Sequence, residues 1–261
     1  MMIDFHTKNR FSYSSRNVDM NWIQFMQNLM TFTGKKIVDI GCGEGIYSKA
    51  FIELGAEKVV GVDFSKEMIA AAKTQNGDSK ITYFLRDASA TGLNDSCYDV
   101  VFSRAVIHHL EDMTPFLRES SRILETRGTI IIQDRTPEDC LLDASAEHLF
   151  GYLFEIFPRL RELEIKRRPN RDQVVKSLQE QGFHLVRIFP LWEVRKRYSN
   201  FQELSIDIFS RSGHSILHAL TDQDLEDFVH YLKGKVLLHD PIIEKDRWTI
   251  WVGYKGDLPR S

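Results

Sequence analysis

Hydrophobic and polar positions follow two rhythms along this chain, and the two take turns. Short apolar runs read as strands: "KIVDI" (36–40), "KVVGVD" (58–63), "ITYFLR" (81–86), "YDVVFS" (98–103) and "GTIIIQD" (128–134). Between them lie amphipathic runs with helical spacing. "GIYSKAFIEL" stops near Gly55, "SKEMIAAAKTQ" is capped by Ser65, and "MTPFLRESSRIL" tolerates Pro115 in its first turn. An earlier helix is predicted over 19–33, with Asp19 as N-cap, Ile23, Met26 and Met30 on one face, and Gly34 as the stop. Strands alternating with helices imply a parallel sheet covered on both faces. Such strands are buried on both sides, which suits the run Ile130-Ile131-Ile132.

The rhythm changes after about residue 140. "LLDASAEHLFGYLFEIF" (141–157), "RDQVVKSLQEQGF" (171–183) and "TDQDLEDFVHYLKGK" (221–235) read as helices. "HLVRIFPLWEVRKRY" (184–198) reads as a long strand or a bent hairpin arm, and "RWTIWVGYK" (247–255) as a final strand. No composition break separates this region. The chain is therefore expected to be one domain: an arm and helix over 1–34, a core over 35–134, and cap helices with sheet-completing strands over 135–261.

Composition narrows the partners. The chain has 261 residues, a formal charge of −3 and 43% hydrophobic residues, which argues against an electrostatic nucleic-acid binder and for a packed core. The basic stretches at 166–171 and 194–198 have few interleaved aromatics and read as solvated faces. No apolar segment has the length of a membrane span or of a signal peptide. Cys42, Cys97 and Cys140 are scattered without metal spacing, so reduced thiols in a cytoplasmic protein, with no metal, are expected.

The chemistry sits at Gly41, Gly43 and Gly45, crowded between a strand and a helix. Glycines there permit a tight turn and let a ligand approach the backbone. Asp63 ends the next strand about 20 residues on, where an acid can accept hydrogen bonds from ribose hydroxyls. The dinucleotide fingerprint fails, because Ile46 stands where its third small residue belongs. Asp39, just ahead of the turn, would repel a pyrophosphate and attract an ammonium group. A nicotinamide oxidoreductase is thereby disfavoured, whereas a nucleoside carrying an amino-acid tail fits. A non-catalytic binding protein of the same fold stays open.

These residues resemble the class I S-adenosylmethionine-dependent methyltransferases of the bacterial small-molecule type. "VDIGCGEG" is similar to that family's first motif, "VVGVDFS" to the second, "FLRDAS" to the third, and "YDVVFSRAVIHHL" to the fourth. "LRESSRILETRGTIIIQD" is similar to the helix and strand that follow. The resemblance implies a Rossmann-like sheet of seven strands, the last antiparallel, and S-adenosyl-L-methionine as the methyl donor. It assigns Asp39, Gly41, Gly43, Asp63, Asp87, Ala88 and Ser103 to the donor site, with Asp87 facing the adenine amino group. Two readings of Asp87 stand side by side, ligand contact and turn cap. Phe64 reads equally as core or as a ring on the adenine face. Related enzymes carry an arm similar to "YSSRNVDMNW", which implies that Arg16 pairs with the donor carboxylate and Tyr13 closes over its tail.

Methyl transfer needs alignment first, and a base only where the acceptor must lose a proton. His108, after the fourth strand, is the candidate catalytic residue, with adjacent His109 packing or capping the following helix. Arg135 reads equally as an anchor for an anionic substrate or as a surface partner of Glu138 or Asp139. The partner expected is a small-molecule methyl acceptor for a monomer or homodimer, with no nucleic acid and no membrane. Asp63→Ala is expected to weaken donor binding by about 1–3 kcal/mol, through lost charged acceptors. Titration calorimetry checks this, and an unchanged dissociation constant removes Asp63 from the site.

Overall fold

A computed structural model describes residues 18–211, 213–235 and 241–256. Tyr13 and Arg16 lie outside them. In chain order the first elements are α1 (Met20–Leu29), β1 (Lys36–Ile40), α2 (Ile46–Glu53), β2 (Lys58–Asp63), α3 (Lys66–Gln75), β3 (Ile81–Leu85), β4 (Tyr98–Arg104), α4 (Thr114–Ile123) and β5 (Leu124–Asp134). After them come α5 (Pro137–Cys140), α6 (Leu153–Ile156), α7 (Arg159–Arg167), α8 (Arg171–Glu180), β6 (Phe183–Tyr198), α9 (Phe201–Phe209), α10 (Asp222–Lys235) and β7 (Ile242–Lys255). The described strands form a seven-stranded sheet in the order β3-β2-β1-β4-β5-β7-β6. Strands β1 to β5 pair in parallel, and β7 runs antiparallel to β5. This is the expected Rossmann-like α/β architecture.

Local chemistry sets the element ends. The Asp19 carboxylate accepts from the Asn21 N–H at 2.7 Å and opens α1. The Ser65 hydroxyl does the same for Met68 N–H and α3. At α8, Asn170 and Gln173 exchange side-chain and backbone bonds in a capping box.

Residue contacts divide the chain into two compact units. Among the described residues the first holds 18–136, 168–191 and 248–256; the second holds 137–167 and 192–247. The later residues thus have two destinations. Parts of β6 and β7 complete the sheet, and the remainder belongs to the second unit.

In the first unit the strands bury both faces. Ile37, Val59, Val100, Phe102 and Ile131 share one face with Trp22 and Met26 of α1 and Phe51 of α2. Val38, Ile40, Val60, Val62, Val101 and Ile130 share the other with Phe116 of α4 and Leu178 of α8. This is why the strands read as unbroken apolar runs.

The second unit has its own apolar cluster, including Phe150, Leu153, Tyr198, Leu204, Leu225, Phe228 and Ile242. Residues 141–157 do not form the single helix that their pattern predicts. Ser145 and His148 bridge, Leu149–Tyr152 make a 3₁₀ turn, and only then does α6 begin. A Cβ on Gly151 would lie 2.6 Å from the Ala144 backbone, so the chain folds back against itself there. That close approach overrides the helical period.

Trp22 ties α1 to the sheet. It is fully buried, touches Phe51 and Phe102 edge-on, and its indole N–H donates to the Gln133 side-chain Oε1 at 2.9 Å. Trp22→Ala is expected to cost ~3–5 kcal/mol through the cavity it leaves. Trp22→Phe should cost about 1–3 kcal/mol, because it removes the donor to a buried oxygen. Urea unfolding of both variants measures these losses.

Candidate active site

The parallel register brings several strand ends level. Ile40 pairs with Val62 on one side and with Ser103 on the other, and Ser103 pairs with Ile132. The loops leaving β1, β2 and β4 therefore open at one edge, where sheets of this kind bind ligands.

The β1 loop is the glycine turn. Gly41, Gly43 and Gly45 all take positive φ, at 76°, 52° and 80°. A Cβ on Gly41 would run into Val106, so this glycine is needed for packing against the β4 loop. A Cβ on Gly43 would meet nothing within 4 Å, so the open approach to the backbone is at Gly43. Gly41 N–H donates to the Val62 carbonyl at 2.7 Å, which locks the turn onto β2.

Two acids flank the turn. Asp63 accepts from the Gly43 N–H at 2.9 Å and the Ser65 N–H at 2.8 Å, so both oxygens are oriented by backbone. Asp39 alternates with Ile37 and so lies on the face covered by α1 and α2. There its carboxylate accepts from the Ser48 hydroxyl of α2 at 2.6 Å. Burial pushes the Asp39 carboxyl up to about 7, with the Asp63 charge adding to the effect against the Ser48 bond. Burial likewise pushes the Cys42 thiol well above its ordinary value, so it carries its proton.

The rest of the cradle is polar where it is buried and apolar where it is open. Ser103 is buried, and its hydroxyl has no hydrogen-bond partner among the described residues. Phe64 is 60% exposed, which excludes the core reading, and Phe84 and Leu85 are exposed at the end of the neighbouring strand β3. Asp87 holds a turn: one oxygen accepts from Ser89 N–H at 2.8 Å and from its hydroxyl at 2.5 Å. Those two bonds lower the Asp87 carboxyl. Ala88 is half-buried against the α4 face.

Beyond β4, Ala105 takes a positive φ of 57°, a strained position that turns the chain toward His108. His108 Nδ1 lies 2.8 and 2.9 Å from the two oxygens of Asp134, the last residue of β5. A carboxylate only accepts, so Nδ1 carries a proton, and in the neutral ring the lone pair is on Nε2. Asp134 is buried. Burial would raise its carboxyl, but the charges of His108 and Arg168 and the Arg135 N–H at 2.7 Å hold it down at about 2. Arg168 also donates to the Arg135 carbonyl at 3.2 Å. His109 is exposed, with its ring 4.0 Å from that of His108, and it does not cap α4.

Residues 38–132 match the sequence profile of a methyltransferase domain. That segment is a class I S-adenosylmethionine-dependent methyltransferase domain. The domain is 37% identical over 98 residues to a ubiquinone biosynthesis O-methyltransferase of Pelagibacter ubique, covering 37% of this chain and 40% of that one. It is 32% identical over 111 residues to the enzyme of the same name from Methylococcus capsulatus, covering 41% and 46%. The chain thus spans under half the length of these two relatives. Among solved structures, a protein described as a methyltransferase from an antibiotic biosynthesis pathway of Anabaena variabilis aligns over 90% of this chain and 98% of its own, with a TM-score of 0.68 and 23% identity. Phosphoethanolamine N-methyltransferase 2 of Haemonchus contortus, solved with S-adenosyl-L-methionine, aligns over 90% and 53%, with a TM-score of 0.54 and 22% identity. These two likenesses establish the fold.

The methyltransferase domain thus brings Asp39, Gly41, Gly43, Asp63, Ser103 and His108 to one edge, with Phe64 and Asp87 on the adjoining loops. Asp134 and Arg168 had no place in the sequence reading. The signal for Asp134 was an acid ending the strand next to the one that carries the histidine. Asp39 yields a direct test. Its proton is held more tightly folded than unfolded, so the ligand-free protein should lose stability as pH rises from the ordinary value of 3.8 through about 7. Asp39→Asn should make that slope shallower and be the more stable form at pH ~8. Urea unfolding at several pH values reads both outcomes.

Proposed function

We propose that this protein transfers a methyl group from S-adenosyl-L-methionine to the hydroxyl oxygen of a small acceptor, phenolic or similarly acidic. The observation that carries the reading is the His108–Asp134 pair at the edge that also bears the glycine turn. The names of the O-methyltransferase relatives support oxygen as the atom methylated.

The cradle fits the donor. Gly43 leaves open space at the backbone, Ser103 offers a buried hydroxyl, and Asp63 offers oriented oxygens that keep lone pairs for ribose hydroxyls. Asp39 supplies the negative charge that favours the cationic amino-acid end, and exposed Phe64 supplies a face for the adenine. Asp87 and Ala88 border the adenine, and Tyr13 and Arg16 close the tail from the arm. When bound, the donor supplies a methyl carbon already activated by the sulfonium charge.

His108 Nε2 takes the acceptor's hydroxyl proton as the oxygen attacks the methyl carbon. The carbon–sulfur bond breaks and its electron pair goes to sulfur, which leaves the donor as a neutral thioether. Asp134 holds the imidazole in the reactive tautomer and offsets the charge that the ring gains. The reading places the protein in the cytoplasm; among the described residues no helix is long and apolar enough to cross a membrane.

The test is S-adenosylhomocysteine formation with a panel of phenols, catechols and amines. His108→Gln should lower kcat on hydroxyl acceptors by ~10²–10⁴-fold while donor binding holds. Asp134→Asn should act in the same direction. Raising the pH past the acceptor's own pKa should restore much of the lost rate, which a purely structural role would not allow. An unchanged kcat in His108→Gln across the pH range, or turnover of amines alone, overturns the proposal.

A further inference from the structure

The inward face of β7 breaks the rule that its own pattern sets. From Ile242 to Asp246 every second residue is buried: Ile242, Glu244 and Asp246. A strand places such residues on one side, where apolar side chains belong. Here two of the three are acids. Glu244 is fully buried and Asp246 is 7% exposed. Burying carboxylates side by side is costly unless a cation or donor meets them.

His148 faces them from the segment that bridges back on itself before α6. It too is buried, at 1% exposure. One ligand atom from each of His148, Glu244 and Asp246 lies within 4.8 Å of the other two. His148 Nδ1 lies 3.8 Å from a Glu244 oxygen and 3.2 Å from the Lys245 main-chain carbonyl oxygen. These spacings bracket the ~3.4 Å edge of a tetrahedron with metal–ligand bonds of about 2.1 Å. The Leu149 N–H, at 2.7 Å, donates to the second Glu244 oxygen and fixes the carboxylate from outside, as ligand carboxylates are commonly held.

The basic side chains nearby bond another acid. Arg195 bonds Asp207 at 3.0 Å and the Tyr198 hydroxyl at 2.7 Å, and Lys196 bonds the other Asp207 oxygen at 2.5 Å. Arg195 also lies in the field of Glu244 and Asp246. Burial, with the Asp246 charge second, pushes the Glu244 carboxyl up to about 8. No step of methyl transfer uses these groups.

We propose that His148, Glu244, Asp246 and the Lys245 carbonyl form a binding site for a divalent transition-metal ion in the second unit. One imidazole nitrogen with carboxylate and carbonyl oxygens suits Zn²⁺ or Mn²⁺ and excludes the soft thiolate-seeking ions. The sequence carried no such expectation, because the ligands are a strand pair and a distant histidine rather than a spaced motif. All four residues belong to the second unit, and the donor-cradle strand ends of β1, β2 and β4 belong to the first.

The full chain, stripped with a chelator and dialysed against Zn²⁺ or Mn²⁺, is assayed by elemental analysis and thermal unfolding. The expected result is about one ion per chain and a raised melting temperature. Glu244→Gln and Asp246→Asn, checked for folding by circular dichroism, should weaken binding by at least ~10-fold. Donor binding to the stripped protein should be unaltered. Failure of the wild-type chain to retain either ion overturns the proposal whatever the variants do. Equal retention by a folded Glu244→Gln/Asp246→Asn double variant overturns it too. Rejection of metal together with a more stable Glu244→Gln would identify the pair as sharing a proton instead.

Discussion

Everything at the candidate site depends on the parallel pairing of β1 between β2 and β4. Parallel strands point their ends the same way, so the loops that leave them share one edge. That pairing also fixes the side-chain alternation that turns Asp39 toward α2 while Val38 and Ile40 turn the other way. A shift of one residue would exchange these faces, exposing the acid to the wrong layer and losing the Ser48 hydroxyl.

The three acids of this edge are treated differently by their surroundings. Asp134 is as buried as Asp39, yet it sits well below the ordinary carboxylate range while Asp39 sits above it. The difference is the company each keeps: basic side chains beside Asp134, only the neutral Ser48 and a like charge beside Asp39. Asp63 is oriented by two backbone donors. One acid thus holds a histidine, one binds its proton more tightly than an ordinary carboxylate, and one presents lone pairs in fixed directions.

Much of the fold was legible because burial on both faces of a parallel sheet writes unbroken apolar runs, and caps such as Asp19 and Ser65 punctuate them. The glycine turn was legible because positive φ restricts the residue type. Gly41 shows the limit: the sequence marks a constrained position, but not that Val106 rather than a ligand imposes it. The His108–Asp134 pair was half legible, since one partner follows β4 and the other ends β5, and only strand order makes them neighbours. The helix expected over 141–157 was misread because the approach of Gly151 to Ala144 is a tertiary contact that no local period records. The acids of β7 were overlooked because a strand of alternating burial accommodates them without disturbing its period.

The sheet order also sets a timetable. Strand β7 lies between β5 and β6, although β6 comes first along the chain. As the ribosome delivers the protein, β6 therefore emerges with no neighbour to pair with and must wait for β7. Until then β5 keeps an unpaired edge, with Ile130, Ile131 and Ile132 already in the strand, which is the kind of surface that recruits other chains. The growing chain thus has a window of exposure that opens with β5 and closes only when Thr249 to Tyr254 have taken their places beside it.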